Sequence, residues 1–374
     1  MELRYGTNPH QSPASVVAID AAHVPVRVLH GDPSYINVLD AVSGWQLVSE
    51  AQSALGLPAA TSFKHVSPAG AALAGPIDEV MAELYGVDPT AIGSLTSAYV
   101  RARDADPKSS YGDMVAVSEP VDAELAELLM GLACDGIIAP GYAEGTVARL
   151  SEKKRGAFVV FEVDPDYGPP AAESRELFGL RFVQPRDGLP LTHDVITAGV
   201  VCGSLARRPV DDLLLGLIVL RYTQSNSVAY LRDGMTLGIG AGQQSRIDCT
   251  RLGGAKADTW WLRRHPIVRG LTAGTSPRVQ DRVNLEIEYL DGERADEQGR
   301  LASDARHTWL QRLDDVSFVS DGAIPFRDNI DHAHRHGVGY IAEPGGSIRS
   351  PDILAACQQH SITLAQTGIR LFRH

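Results

Sequence analysis

Long apolar runs, clustered cysteines and an excess of positive charge are all missing from this chain of 374 residues. No stretch approaches the roughly 18 consecutive apolar residues of a membrane span. MELRYGTNPHQ is polar from its second residue, so no secretory signal is expected either. The four cysteines, Cys134, Cys202, Cys249 and Cys357, lie far apart without a CxxC pair. A reducing, cytoplasmic setting follows as the expectation, with the cysteines as small buried side chains. Lys and Arg number 34 against 46 Asp and Glu, a net charge of −12. That balance argues against a general nucleic-acid binder, yet leaves room for a small anion in a local basic pocket.

What is present is an ordinary globular composition, 44% hydrophobic and 21% charged, long enough for two or three domains. Extended runs (VPVRVLH, PAATSFKH, GDMVAVS, GIIAPG, FVVFEV, MTLGIG, GVGYIAE) alternate with helical ones such as VLDAVSGWQLVSEAQSALG and VDDLLLGLIVLRYTQ. This predicts an α/β protein. The proline- and charge-rich segment Tyr167–Asp194 reads as a connection, dividing the chain into 1–190 and 191–374. Residues 274–306 read as an irregular, solvated insertion with some helix. There is no short-period repeat and no low-complexity tract.

Several stretches carry chemistry. In SFKHVSPAG, Lys64 stands beside His65 between an apolar run and a turn, and a neighbouring ammonium disfavours imidazolium, which suits a general base. An exposed strand end would carry the same pair. LRYGTNPHQ gathers Arg4, Tyr5, Asn8, His10 and Gln11, a set suited to phosphate or nucleotide; a plain polar arm is the alternative. In TQSNSV, the amide of Asn226 has a donor to offer a developing oxyanion, or else it caps a turn. GIGAGQQ resembles a dinucleotide-binding turn but puts Gln243 where the third glycine belongs, so that reading is set aside despite Asp258 about 20 residues on. In SDGAIPFRDNIDHAHRHG, Asp328 reads as a helix cap, and His332 and His336 as one helix face without a third metal ligand.

These pieces occur in one order. LRYGTNPHQ, INVLDAVSGWQLV, SFKHVSPAG, SSYGD, DGIIAPGY, YTQSNSVAY, GIGAGQQSRI, WWLRRHP, PFRDNID and RLFRH run from Arg4 to His374. That series resembles the transformylase half of the bifunctional purine-biosynthesis family, the formyltransferase acting on 5-aminoimidazole-4-carboxamide ribonucleotide (AICAR). The resemblance implies two cytidine-deaminase-like α/β/α subdomains and an intertwined homodimer with shared active sites. It also implies 10-formyltetrahydrofolate as co-substrate and a structural monovalent cation, K+, whose ligands nothing in the chain places. Deaminase zinc is not expected, since no HxE followed by PCxxC occurs. Because Met1 falls close to the transformylase boundary, a standalone enzyme or excised domain served by a separate IMP cyclohydrolase is the expectation.

By the same resemblance His65 is the proton acceptor, with Lys64 adjacent, and Asn226 helps hold the transition state. Arg4, Tyr5 and Arg370 match positions that bind the nucleotide. Gly112, Asp135 and Phe372 match others that line it, and Asn37 lies near the centre. Lys108, Ile247, Pro325, Phe326, Asp328, Asn329 and Ser347 match positions that receive the folate. The chain departs from the pattern at SDGAIPFRDN, where the family reads SDAFFPFRDN: Ala323 and Ile324 replace two phenylalanines, one expected to stack on the imidazole ring. Weaker AICAR binding, or an acceptor that is a related aminocarboxamide ribotide, are both compatible with that change.

Overall fold

The computed structural model describes residues 1–272, 278–292 and 301–374. Among these residues twelve strands form one mixed sheet: β1 (Val26–His30), β2 (Ala59–Lys64), β3 (Ser67–Leu73), β4 (Asp113–Val117), β5 (Cys134–Ala139), β6 (Val159–Val163), β7 (Val200–Cys202), β8 (Val228–Arg232), β9 (Met235–Gly240), β10 (Val316–Ser320), β11 (Val338–Glu343) and β12 (Thr363–Gln366). Their spatial order is β7-β12-β11-β10-β8-β9-β3-β2-β4-β5-β6-β1. Read outward from the central β9–β3 contact, each half gives the same series: a hairpin, an antiparallel neighbour, two parallel strands, and an antiparallel edge. Strand βn of the first half corresponds to βn+6 of the second.

The helices follow the same repeat: α1 (Tyr35–Leu55), α2 (Ser94–Asp104), α3 (Ala123–Met130) and α4 (Thr146–Ser151) correspond to α5 (Arg207–Arg221), α6 (Arg246–Leu262), α7 (Asp328–His334) and α8 (Ser350–Gln359). Residues alternate between sheet faces as a strand requires. Met114 and Ala116 of β4 join Leu47 and Val48 of α1 and Leu213 and Leu217 of α5 in one core. Val115 and Val117 join Tyr99, Leu125, Ile330 and Ile353 in the other. Helices therefore cover both faces, α1 and α5 on one and the remaining six on the other, the three-layer α/β arrangement with two like halves.

Helix α1 begins at a capping box, Ser34 accepting from the Asn37 N–H while the Asn37 side chain accepts from Ser34, and ends at Gly56 with φ 73°. One glycine in each long helix meets the sheet directly. A Cβ on Gly44 would lie 2.9 Å from Ala116 Cβ, and one on Gly216 2.5 Å from Val319 Cγ2, at equivalent strands β4 and β10.

Four sequence readings change. SPAGAAL, read as a turn because of Pro68 and Gly70, is strand β3. Tyr167–Asp194 is more than a connection: Ala172–Leu177 and Leu180–Pro185 pair as an antiparallel hairpin, every residue exposed. Within 274–306, the helix Val279–Asp291 is packed rather than solvated, burying Val283, Ile287 and Tyr289, with Glu286 paired to Arg263; 274–277 and 293–300 lie outside the described residues. Asp328 sits inside α7, not at its cap, and accepts from Asn329 Nδ2 at 2.9 Å. No helix among the described residues is long and apolar enough to cross a membrane.

Candidate active site

Strand directions bring the motifs to one edge of the sheet. The β2–β3 turn, the N-terminal ends of β4 and β5, the start of β8, and the C-terminal ends of β9, β10, β11 and β12 all open there. The C-terminal ends of parallel strands are where such sheets commonly hold ligands.

The β2–β3 loop is only His65 and Val66, with φ of 52° and 59°. A two-residue hairpin wants this left-handed geometry, but in Asn or Gly rather than in a β-branched residue. Both amides are held from below by Asp40 of α1, which is 6% exposed. The His65 N–H donates to Oδ2 at 3.2 Å and the Val66 N–H to Oδ1 at 2.6 Å. Burial pushes the Asp40 carboxyl up to about 6, against these two donors and the charges of His65 and Lys64. The imidazole of His65 stands exposed. Lys64 Nζ donates to the Tyr111 carbonyl, beside Gly112.

The second half supplies the facing wall. The Gln224 N–H donates to Ser67 Oγ at 3.3 Å, joining the TQSN loop to the hairpin. Asn226 accepts from Arg246 Nη2 at 2.9 Å, and its Nδ2 donates to the Gln243 and Gln244 carbonyls at 3.0 and 3.2 Å. Both amide hydrogens are thus engaged, so giving one to an oxyanion means releasing a carbonyl. Arg246 also donates to Asp321, which is fully buried and accepts from Ser225 Oγ, Ser227 N–H and Ser227 Oγ. The chain's last residues close the same edge. Ser225 and Arg373 exchange hydrogen bonds at 3.0 Å, and the Leu371 N–H donates to the Asp321 carbonyl.

The other residues singled out in sequence fall into groups. Arg4 lies over the Tyr5 ring at 4.9 Å, and the Tyr5 carbonyl accepts from the Tyr35 N–H, so both flank Asn37 at the start of α1. Asn37 itself is occupied by the capping box. Asp135 pairs with Lys154 next to Gly112. Arg370 lies over the Phe372 ring at 4.8 Å. Ile247 opens α6, and Pro325, exposed Phe326 and Ser347 occupy the loops beyond β10 and β11. Asn329 is buried and bonded to Thr250, Phe326 and Asp328, so its side chain faces inward. Lys108 lies 3.8 Å from Asp291, and its carbonyl accepts from the N–H of Tyr111, whose own carbonyl takes Lys64. His332 and His336 share a surface pocket with Arg251 and Asp258, and His336 bonds Asp258 at 2.8 Å. No three metal-ligating side chains converge among the described residues. Asp40, Arg246 and Asp321 were missed: each is a charge embedded in a motif already quoted, and only its burial reveals its task.

A mixed α/β sheet of two like halves, with a polar site along one edge, defines the class. The chain belongs to the AICARFT/IMPCHase bienzyme family, whose model matches residues 1–256. It is similar to the bifunctional purine biosynthesis protein PurH of Dinoroseobacter shibae (28% identical over 375 residues) and of Sinorhizobium fredii (28% over 376). The PurH of Roseobacter denitrificans is 29% identical over 377 residues. Each comparison covers 100% of this chain and 59% of the relative, so the chain spans about three-fifths of the length of these curated relatives.

Proposed function

We propose that the chain acts in purine biosynthesis as a folate-dependent formyltransferase, moving the formyl group of 10-formyltetrahydrofolate to the 5-amino group of AICAR. The observation that carries this is the Ser67–Gln224 junction, which sets the exposed His65 turn against the Asn226–Arg246–Asp321 network. The amine of AICAR is a weak nucleophile, its lone pair drawn toward the carboxamide. Attack on the formyl carbon needs a base for the amine proton and donors for the oxyanion, and His65 with the Asn226–Arg246 pair are suited to these tasks. Arg4, Tyr5, Arg370, Phe372, Gly112, Asp135 and Asn37 are assigned to the ribotide. Lys108, Ile247, Pro325, Phe326, Asp328 and Ser347 are assigned to the folate, and buried Asn329 to holding Phe326 and Asp328 in place for it.

Two further proposals go with it. The division near residue 190 separates two subdomains of one homodimer-forming unit. The dimer is favoured by the outer hairpin, whose Phe178 is fully exposed and whose Leu180, Phe182 and Val183 are more than half exposed, since an isolated hairpin is marginal without a partner. The setting is cytoplasmic, in keeping with four free cysteines. Ring closure to inosinate falls to a cyclohydrolase outside these 374 residues.

A second reading, formyl transfer to an AICAR-like aminocarboxamide ribotide, is favoured by Gly322. A Cβ there would lie 2.6 Å from Phe372 Cε1 and 2.7 Å from Arg246 Nη2, so the Phe372 ring takes the space that the family's alanine would need at this position. Incubating the protein with 10-formyltetrahydrofolate and a panel of aminoimidazole and aminopyrazole carboxamide ribotides decides. Formamido product from AICAR upholds the first reading; product from another acceptor alone upholds the second; none from any removes both.

A further inference from the structure

The support beneath His65 has an internal control. Asp212 is the sixth residue of α5, as Asp40 is of α1. Its carboxylate accepts the N–H groups of Gly234 at 2.6 Å and Asp233 at 3.2 Å, the two loop residues of the β8–β9 hairpin, whose φ are 74° and 54°. The Asp40 bonds to Val66 and His65 have the same two lengths. The fold therefore contains one strap twice. Asp-Gly is the pair such a turn selects by itself, so the second strap secures a loop that already has the right residues. His-Val has no such preference, and the left-handed backbone of Val66 is held only because its surroundings fix it.

We propose that Asp40 is a positioning residue for proton transfer. Its carboxylate fixes the backbone of His65 and Val66 left-handed, which directs the imidazole out over the sheet edge. This rests on the reading of His65 as the proton acceptor. The strap itself is testable without that reading.

Asp40→Asn keeps one acceptor and turns an amide donor toward the other N–H. Amide hydrogen exchange at His65 and Val66 should then accelerate at least about tenfold, while Asp212→Asn accelerates exchange only at Asp233 and Gly234. Turnover of Asp40→Asn should fall about ten- to a hundredfold with KM for both substrates within about threefold. Asp212→Asn should lose similar stability and keep turnover within about twofold. Adding Val66→Gly to Asp40→Asn, which lets position 66 adopt a positive φ freely, should recover most of the lost turnover. Unchanged exchange at His65 and Val66 overturns the strap. Equal loss of turnover in Asp40→Asn and Asp212→Asn, or a glycine that restores protection without turnover, overturns the positioning role. Wild-type protein with no formyl transfer to any acceptor defeats the functional reading instead, and the exchange measurement still decides the strap.

Discussion

The two edges of the sheet are made from the same parts and put to different use. At the site edge, the first half contributes the His65–Val66 turn on Asp40, and the second contributes Asp321, which accepts the N–H of Ser227 entering β8. At the far edge, the second half contributes the Asp233–Gly234 turn on Asp212, and the first contributes Ser118, whose hydroxyl accepts the N–H of Ala59 entering β2. The far edge obeys local rules: turn residues that favour their own geometry and an uncharged cap. The site edge breaks both, with a β-branched residue at positive φ and a buried carboxylate that needs Arg246 beside it. Between these matched turns and caps the local inconsistency falls on the site side, while the buried strap carboxylate is common to both, which is how a working surface differs from a merely structural one.

Replacing the loop histidine tests that contrast most severely. His65→Ala should lower kcat by about 10²–10⁴ while ribotide affinity stays within a few-fold, measured by steady-state kinetics and calorimetry. Asp233→Ala at the equivalent far-edge position should leave kcat within about twofold. Equal losses would erase the distinction between the edges. Next come the caps. Asp321→Ala strands a buried Arg246 and three donors, and should destabilise by about 3–5 kcal/mol in urea unfolding. Ser118→Ala removes one neutral acceptor and should cost about 1 kcal/mol.

The strands that alternate or run apolar between glycines, β1, β2, β4, β5, β6, β9 and β11, were legible in the sequence, as were α1 and α5. Strands β3, β7, β8, β10 and β12 were not. SPAGAAL carries Pro68 and Gly70, which read as turn because the bulge between Ser62 and Phe63 that accommodates them is a tertiary feature. VAYLR and TLAQ are too short to show a period. The half-chain repeat hides for a related reason: its signal is a spacing, Asp40 to Gly44 and Asp212 to Gly216, inside helices whose other residues differ. Lys64, His65 and Asn226 were found because their motifs are ordered along the chain. Asp40, Arg246 and Asp321 were passed over because burial, which turns a surface charge into a strut, is written only in three dimensions.

The straps predict a pH response shared by both edges. Burial is the largest cause that pushes Asp40 and Asp212 up to about 6 from an unfolded value near 3.8. A carboxyl with a raised folded value holds its proton more tightly when folded. Its stabilising contribution is thus complete below 3.8 and lost as pH climbs through about 6, on the order of 3 kcal/mol for each group. Urea unfolding from pH 4 to 7 should show stability falling across that window. Asp40→Asn and Asp212→Asn should each make the fall shallower, Glu50, also pushed up by burial, keeping part of it, and a slope untouched by both would show that neither carboxyl titrates there. Near neutrality both straps are anions kept buried at a cost in stability, which at the far edge serves only the turn.

Exchanging the two loops sharpens the comparison furthest, because it reads stability and turnover in one experiment. His65→Asp with Val66→Gly installs the far-edge turn at the site, relieving the positive φ of a β-branched residue, and should stabilise the chain by about 1–2 kcal/mol. The same change removes the imidazole, so turnover should fall as far as in His65→Ala. The reverse pair, Asp233→His with Gly234→Val, moves the strain to the far edge and should destabilise by a similar amount with turnover kept. Opposite signs in stability with loss of activity on one side only would mean that the site edge departs from the stable solution because the departure is its function. Loops of equal stability in either location would mean that Asp40 and Asp212 alone dictate the turns, whatever residues occupy them.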